Sequence, residues 1–169
     1  VVAQVRGLLG GNELNPAAFN GLMTLLVEIG TPADLRWVLD RAADKPSVLD
    51  ALVGANRVRG IRPAGELAEP LEQMLVGKNV EVRTHAIRLA GEWKASALTD
   101  RIGKILSDVD APAKLRAAAV ESLGQLRGVD ALDTISKAVG DPAPEIQQAA
   151  LRALCEIDLP KAAQQASAL

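Results

Sequence analysis

The chain is poor in the residues that most chemistry needs. Its 169 residues include no tyrosine, one phenylalanine, two tryptophans, one cysteine and one histidine. A single cysteine, Cys155, excludes an internal disulfide, and one cysteine with one histidine cannot build a zinc site within the chain. Cys155 lies in a strongly apolar helical pattern, which predicts a buried, inert thiol. No apolar run approaches the ~18–20 residues that cross a bilayer. Charge of one sign is also lacking. The formal net charge is −2 with 24% charged residues, so nothing draws the chain generally to nucleic acid or anionic lipid. No signal peptide or initiator Met is present, and the opening "VVAQVRGLLG" is already in helical register. That opening reads as the start of a segment of a longer chain.

What the chain has is aliphatic mass and a period. It is 49% hydrophobic and 2% aromatic, so its apolar part is mostly Ala, Leu, Val and Ile, small units that let helix axes approach closely. Ala18, Val48, Val82, Leu115 and Ile146 fall in one column, at steps of 30, 34, 33 and 31 residues. Four positions on stand Leu22, Leu52, Ala86, Ala119 and Ala150, and next to them Met23, Val53, Ile87, Val120 and Leu151. Further columns hold Leu26, Asn56, Ala90, Leu123 and Leu154, then Ile29, Arg59, Trp93, Leu126 and Ile157. Offsets of this kind trace one face of an α-helix, broken only by Asn56 and Arg59.

Shorter helical patterns lie between, among them Val1, Val5, Leu8 and Leu9, and Leu98, Ile102, Ile105 and Leu106. Gly10-Gly11, Gly30 with Pro32, Pro46, Gly60 with Pro63, Gly77, Gly128 and Gly140 before Pro142 punctuate them. The expectation is an all-α fold, a right-handed α-α superhelix of about five helix pairs plus a partial sixth, forming one domain over 1–169. Each pair is too small to bury its apolar faces alone, so neighbours complete each other's core.

The motifs narrow the class. "DAPAKLRAAAVESLG" (110–124), "DPAPEIQQAALRAL" (141–154) and "GKNVEVRTHAIRLAG" (77–91) share a turn followed by a Val-Arg-like pair and a small-residue run. This resembles the HEAT repeat in its short bacterial form, also seen in phycobilin-lyase-type repeats. The run "AIRLAGEWKASAL" with "EIDLPKAAQQASAL" is similar to the HEAT segment of large exported planctomycete-type dehydrogenase/cytochrome c proteins. That resemblance implies a periplasmic or exported location; without it the chain reads as cytoplasmic.

No residues emerge that carry a reaction. His85 is followed by Ala86 rather than by the Glu of iron-binding His-Glu pairs, and reads as a solvent-facing or interhelical histidine. Carboxylates are dispersed, and Gly10-Gly11 lacks the spacing of a phosphate loop. No catalytic, cofactor-binding or metal-binding residue is therefore expected. Trp37 and Trp93 sit at apolar helical positions and read as core. One helix face gives Thr24, Gly54, Arg88, Glu121 and Arg152 at equivalent positions. Their signs alternate, so no basic stripe for nucleic acid forms. A mild acidic row follows at Glu28, Glu92 and Glu156. These six charged residues, Arg88, Glu121, Arg152, Glu28, Glu92 and Glu156, form the candidate interaction surface.

The expected function is a non-catalytic scaffold or protein-interaction module of a larger bacterial protein. Its partner would be another protein or neighbouring domains of the same chain, with no nucleic acid, membrane insertion, metal or cofactor. The alternative is an enzyme module of HEAT-like lyase or DNA-glycosylase type. Two local expectations complete the reading. Asp141 serves as an N-cap, accepting from the Ala143 N–H and reaching Arg116, with Asp110 in the same scheme. Asp158 caps a last helix carrying Pro160, Ala162, Ala163, Ala166 and Leu169, with the native chain continuing beyond.

Overall fold

The computed structural model describes residues 1–11 and 14–167. The described residues form α-helices joined by short turns, with no strand among them. In order they are α1 (Val2–Leu9), α2 (Pro16–Ile29), α3 (Pro32–Leu39), α4 (Pro46–Arg59), α5 (Ala68–Val76), α6 (Val80–Glu92), α7 (Thr99–Ser107), α8 (Ala113–Arg127), α9 (Leu132–Ala138), α10 (Pro144–Ile157) and α11 (Leu159–Ala166). Short helices alternate with longer ones, as the period requires: five pairs and the first helix of a sixth. The fold is all-α and HEAT-like. It divides into two compact units, Val1–Leu89 and Ala90–Leu169.

The punctuation acts as its chemistry dictates. Pro occupies the first turn of α2, α3, α4, α10 and α11, where its missing N–H costs nothing. Asn15 caps α2 by accepting from the Ala18 N–H at 2.8 Å. Thr31 and Asp34 form a reciprocal capping box on α3. Gly60, in the left-handed region at φ +63°, ends α4, where a side chain would be strained. Asp158 accepts from the Lys161 N–H at 3.0 Å and caps α11 as expected.

In the first unit α2 packs on α1, α3 and α4. Its core gathers Met23, Leu26, Leu35, Leu39, Leu49, Leu52 and Leu71, all essentially without solvent contact. In the second unit α8 packs on α7 and α10, and α10 also holds α9 and α11. Trp93, Ile102, Leu115, Ala119, Ile146, Ala150 and Leu154 are buried there. The recurrent columns of the sequence are thus mostly core in both units, although Leu126, Leu151 and Ile157 are half-buried and the first two helical segments depart further. Ala18 is exposed, Ile29 is 37% exposed, and Leu8 and Val1 face solvent.

Other expectations need correction. Cys155 is exposed rather than buried. It stands nine residues after the buried Ile146, and nine steps of about 100° place it on the opposite side of α10. Trp93 is core, but Trp37 is half-buried. The Arg41 guanidinium lies 4.1 Å from its ring centre and that of Arg6 5.6 Å. These are cation–π distances, so the ring packs against charge rather than within the core. Leu169 lies outside the described residues; Ala162 is buried while Ala163 and Ala166 face solvent.

Candidate functional site

Several cationic side chains close helix ends. The last four carbonyls of a helix have no partner within it. Arg59, which breaks the apolar column of α4, donates to the Val27 carbonyl at 2.9 Å and the Gly30 carbonyl at 2.7 Å. It therefore satisfies the C-terminus of α2, where a cation also meets the negative end of the helix dipole. Arg116 does the same for α7 through Nε and the Leu106 carbonyl, at 3.1 Å. Lys94 reaches the Gln125 carbonyl in the last turn of α8. It does so from a left-handed backbone, φ +56°, a position that ordinarily favours glycine.

The Asp141 turn is the most highly connected of these ties. Its Oδ1 accepts from the Ala143 N–H at 3.0 Å, and its carboxylate pairs with Arg116 at 2.6 and 3.4 Å. Both side chains are nearly buried. Gln147 Nε2 donates to the Asp141 carbonyl at 2.8 Å. The contacts are as expected, but the cap is not: α10 begins at Pro144 with Ala143 as N-cap. Asp110 also departs from the scheme. Two residues after it stands Pro112, which has no N–H to donate. The equivalent turn instead forms upstream, with Asp108 Oδ1 accepting from the Asp110 N–H at 3.1 Å.

In the first unit, Asp34 is the buried acid. It accepts from the Thr31 hydroxyl at 2.7 Å and backbone N–H at 2.9 Å, and pairs with Arg6 at 3.2 Å. Burial pushes its pKa up; the Thr31 bonds and the Arg6 charge outweigh that and hold it below its ordinary value. His85 is also largely buried, its Nδ1 3.7 Å from Asp50 Oδ1.

The six charged residues of the expected surface divide between the units. Glu28 is exposed on α2 and Arg88 half-buried on α6, both in the first. Glu92, Glu121, Arg152 and Glu156 belong to the second. There Glu92 accepts from Gln125 Nε2 at 3.4 Å, and Arg152 Nε donates within its own helix to the Gln148 carbonyl at 3.3 Å. Glu121 is half-buried and Glu156 exposed.

Sequence reasoning missed a groove in the second unit. It runs between α7 and α9 over α8 and encloses about 560 Å³. Asp100, Lys104 and Asp108 project along α7, Arg127 closes the end of α8, and Thr134 comes from α9. Its floor is apolar, made by the buried Leu123 and Ala131. Among the described residues Lys104, Arg127 and Asp100 form no ion pair. Such groups are available to a partner. Nothing in a single sequence marks the groove, because its lining residues come from separate helices and share no motif.

Residues 99–169 match the family model for HEAT repeats. The match covers α7 to the end of the second unit and supports a HEAT-repeat helical solenoid there; the two narrower resemblances gain no support from it. No curated protein and no solved structure matches the chain. No helix among the described residues is long and apolar enough to cross a membrane.

Proposed function

We propose that the chain is a scaffold or docking module that binds a protein partner or neighbouring domains of its own chain, and that it carries out no catalysis itself. HEAT repeats in general act as scaffold or interaction modules, and residues 99–169 match them. The observation that carries the reading is the division of labour among polar side chains. Arg59, Lys94 and Arg116 are consumed in closing helix ends, and Asp141 in its turn and its pair with Arg116. The groove over α8 keeps Asp100, Lys104 and Arg127 outside any ion pair. A rigid frame with unengaged charge along an open, apolar-floored groove suits peptide or domain docking. The charged residues expected from the sequence add to each unit separately, Glu28 and Arg88 to the first and Glu92, Glu121, Arg152 and Glu156 to the second.

The test is quantitative affinity capture with the 169-residue chain and a Lys104→Glu/Arg127→Glu variant of equal melting temperature, followed by reconstitution from purified components. The expected result is a protein that binds the chain directly and loses at least tenfold in affinity to the variant. A partner bound equally well by both would overturn the groove's role. A purified chain that converts a small molecule would overturn the non-catalytic reading.

A further inference from the structure

Aligned on their buried residues, the short helices differ at one position that decides whether a groove is filled or open. Val5 and Leu9 of α1, Leu35 and Leu39 of α3, and Ile102 and Leu106 of α7 are buried at the same spacing. The residue after the first of each pair is Arg6, Arg36 and Gly103. Arg6 crosses from α1 to α3 and pairs with Asp34 at 3.2 Å. Arg36 crosses from α3 to the Glu66 carbonyl just before α5, and also pairs with Asp40 at 2.9 Å. The groove it lines between α3 and α5 keeps about 230 Å³. At Gly103 an added methyl group would meet nothing within 4 Å, and the groove between α7 and α9 encloses about 560 Å³. That space is walled, with α7 and α9 at its sides and Leu123 and Ala131 as its floor. Charges stand along the α7 wall. Asp100, Lys104 and Asp108 recur every fourth residue, about 6 Å apart along the helix. Ion pairs form at that spacing, as Arg36 and Asp40 do, yet among the described residues none of these three is in one.

We propose that the α7–α9 groove takes an extended peptide segment of a protein partner, in which a carboxylate is flanked two residues to either side by a lysine or arginine. Size selects the conformation. A helix of ~10 Å diameter laid along the ~14 Å of α7 would need about 1,000 Å³, well beyond what the groove holds. An extended chain rises ~3.3 Å per residue, so four or five residues run the same length in a much thinner thread. Charge selects the sequence. Alternate side chains of an extended chain lie on one side at ~6.6 Å intervals, close to the ~6 Å of the α7 row. A central carboxylate then meets Lys104 while the flanking cations meet Asp100 and Asp108. Arg127 brings the groove's charge to balance, so a purely acidic or purely basic tract fits it poorly. The intervening residues turn away from the charged row, towards the apolar floor, and are apolar. The inference rests on the docking role proposed above and names the chemistry of what docks.

Titration of the isotope-labelled 169-residue chain with the end-blocked peptide Lys-Val-Glu-Val-Lys, followed by NMR, tests it. The expected result is saturable shifts at Gly103, Lys104, Leu123 and Ala131, with Kd below about 1 mM at low salt. The reversed peptide Glu-Val-Lys-Val-Glu should bind at least tenfold more weakly, because like charges then face one another. Gly103→Gln fills the groove and should weaken binding at least tenfold. It should do so at an equal or higher melting temperature, since glutamine is the better helix former and has room there. Lys104→Glu should reverse the preference at the centre, binding Lys-Val-Lys-Val-Lys more tightly than Lys-Val-Glu-Val-Lys. Absence of saturable shifts, equal binding of the reversed peptide, or undiminished binding by Gly103→Gln overturns the proposal. If the peptides fail while a captured partner still loses tenfold to Lys104→Glu/Arg127→Glu, the docking role stands and the extended, alternating segment is discarded.

Discussion

At the scale of single residues, Asp141 and Asp34 carry the clearest energetic consequences. Removing one member of a nearly buried ion pair strands the other charge. Asp141→Ala should therefore cost about 3 kcal/mol, more than the ~1 kcal/mol of an ordinary lost cap, because Arg116 would keep its buried guanidinium without a counter-charge. Denaturant unfolding measures this, and a loss under ~1 kcal/mol would mean that solvent already screens the pair. The double variant Asp141→Leu/Arg116→Met should be less damaged than the single one. Asp34 predicts a pH dependence with a definite sign. Its carboxyl is held below the ordinary value of 3.8, so its contribution is complete above that pH and disappears as pH falls through the lower folded value. Asp34→Asn should be less stable than wild type at neutral pH, and the gap should narrow only below about pH 4. A gap that narrows instead between pH 5 and 7 would contradict the capping-box account.

At the scale of the helix, close approach sets the tolerances. A methyl group at Gly91 would come within 2.9 Å of Ser122 Oγ and 3.0 Å of Ser122 Cα, and the backbone atom cannot turn away. Gly91→Ala should thus destabilise by about 1–3 kcal/mol although Ala is the better helix former, and thermal melts at matched pH will show it. This is also the scale at which the sequence was most legible. Period, breakers and small-residue columns located the helices from α2 through α10, since repeated burial writes itself into repeated residue types. Turn chemistry was half legible. The Asp141–Ala143 and Asp141–Arg116 contacts were readable from spacing, whereas Asp110 misled because Pro112 removes the donor that its turn needs. Trp37 misled for another reason. An aromatic at an apolar offset looks like core until the arginines above its ring are known, and Arg6 comes from α1 while Arg41 comes from the turn after α3. The groove residues Lys104 and Arg127 gave no signal, because they look like any solvated helix surface.

At the scale of the whole chain, stability should be graded rather than uniform. α11 is held by α10 and buries a single residue, Ala162, while Leu159 is 64% exposed. Few buried contacts mean a low local opening free energy. Amide hydrogen exchange should therefore show residues 159–166 exchanging well before α8 and α10. Equal protection across all three would show that α11 is covered in solution. The ties at helix ends carry a different consequence, for descent. Repeat arrays are often pictured as beads gained or lost one at a time. Here Arg59 belongs to one pair but closes the helix of the pair before it, and Asp141 neutralises an arginine of the preceding pair. Deleting a single pair would leave its neighbour with bare carbonyls or a stranded buried charge. The unit that can be copied or dropped without injury is thus offset from the helix pair itself. Lineages that change repeat number should carry compensating substitutions at the positions of Arg59 and Arg116.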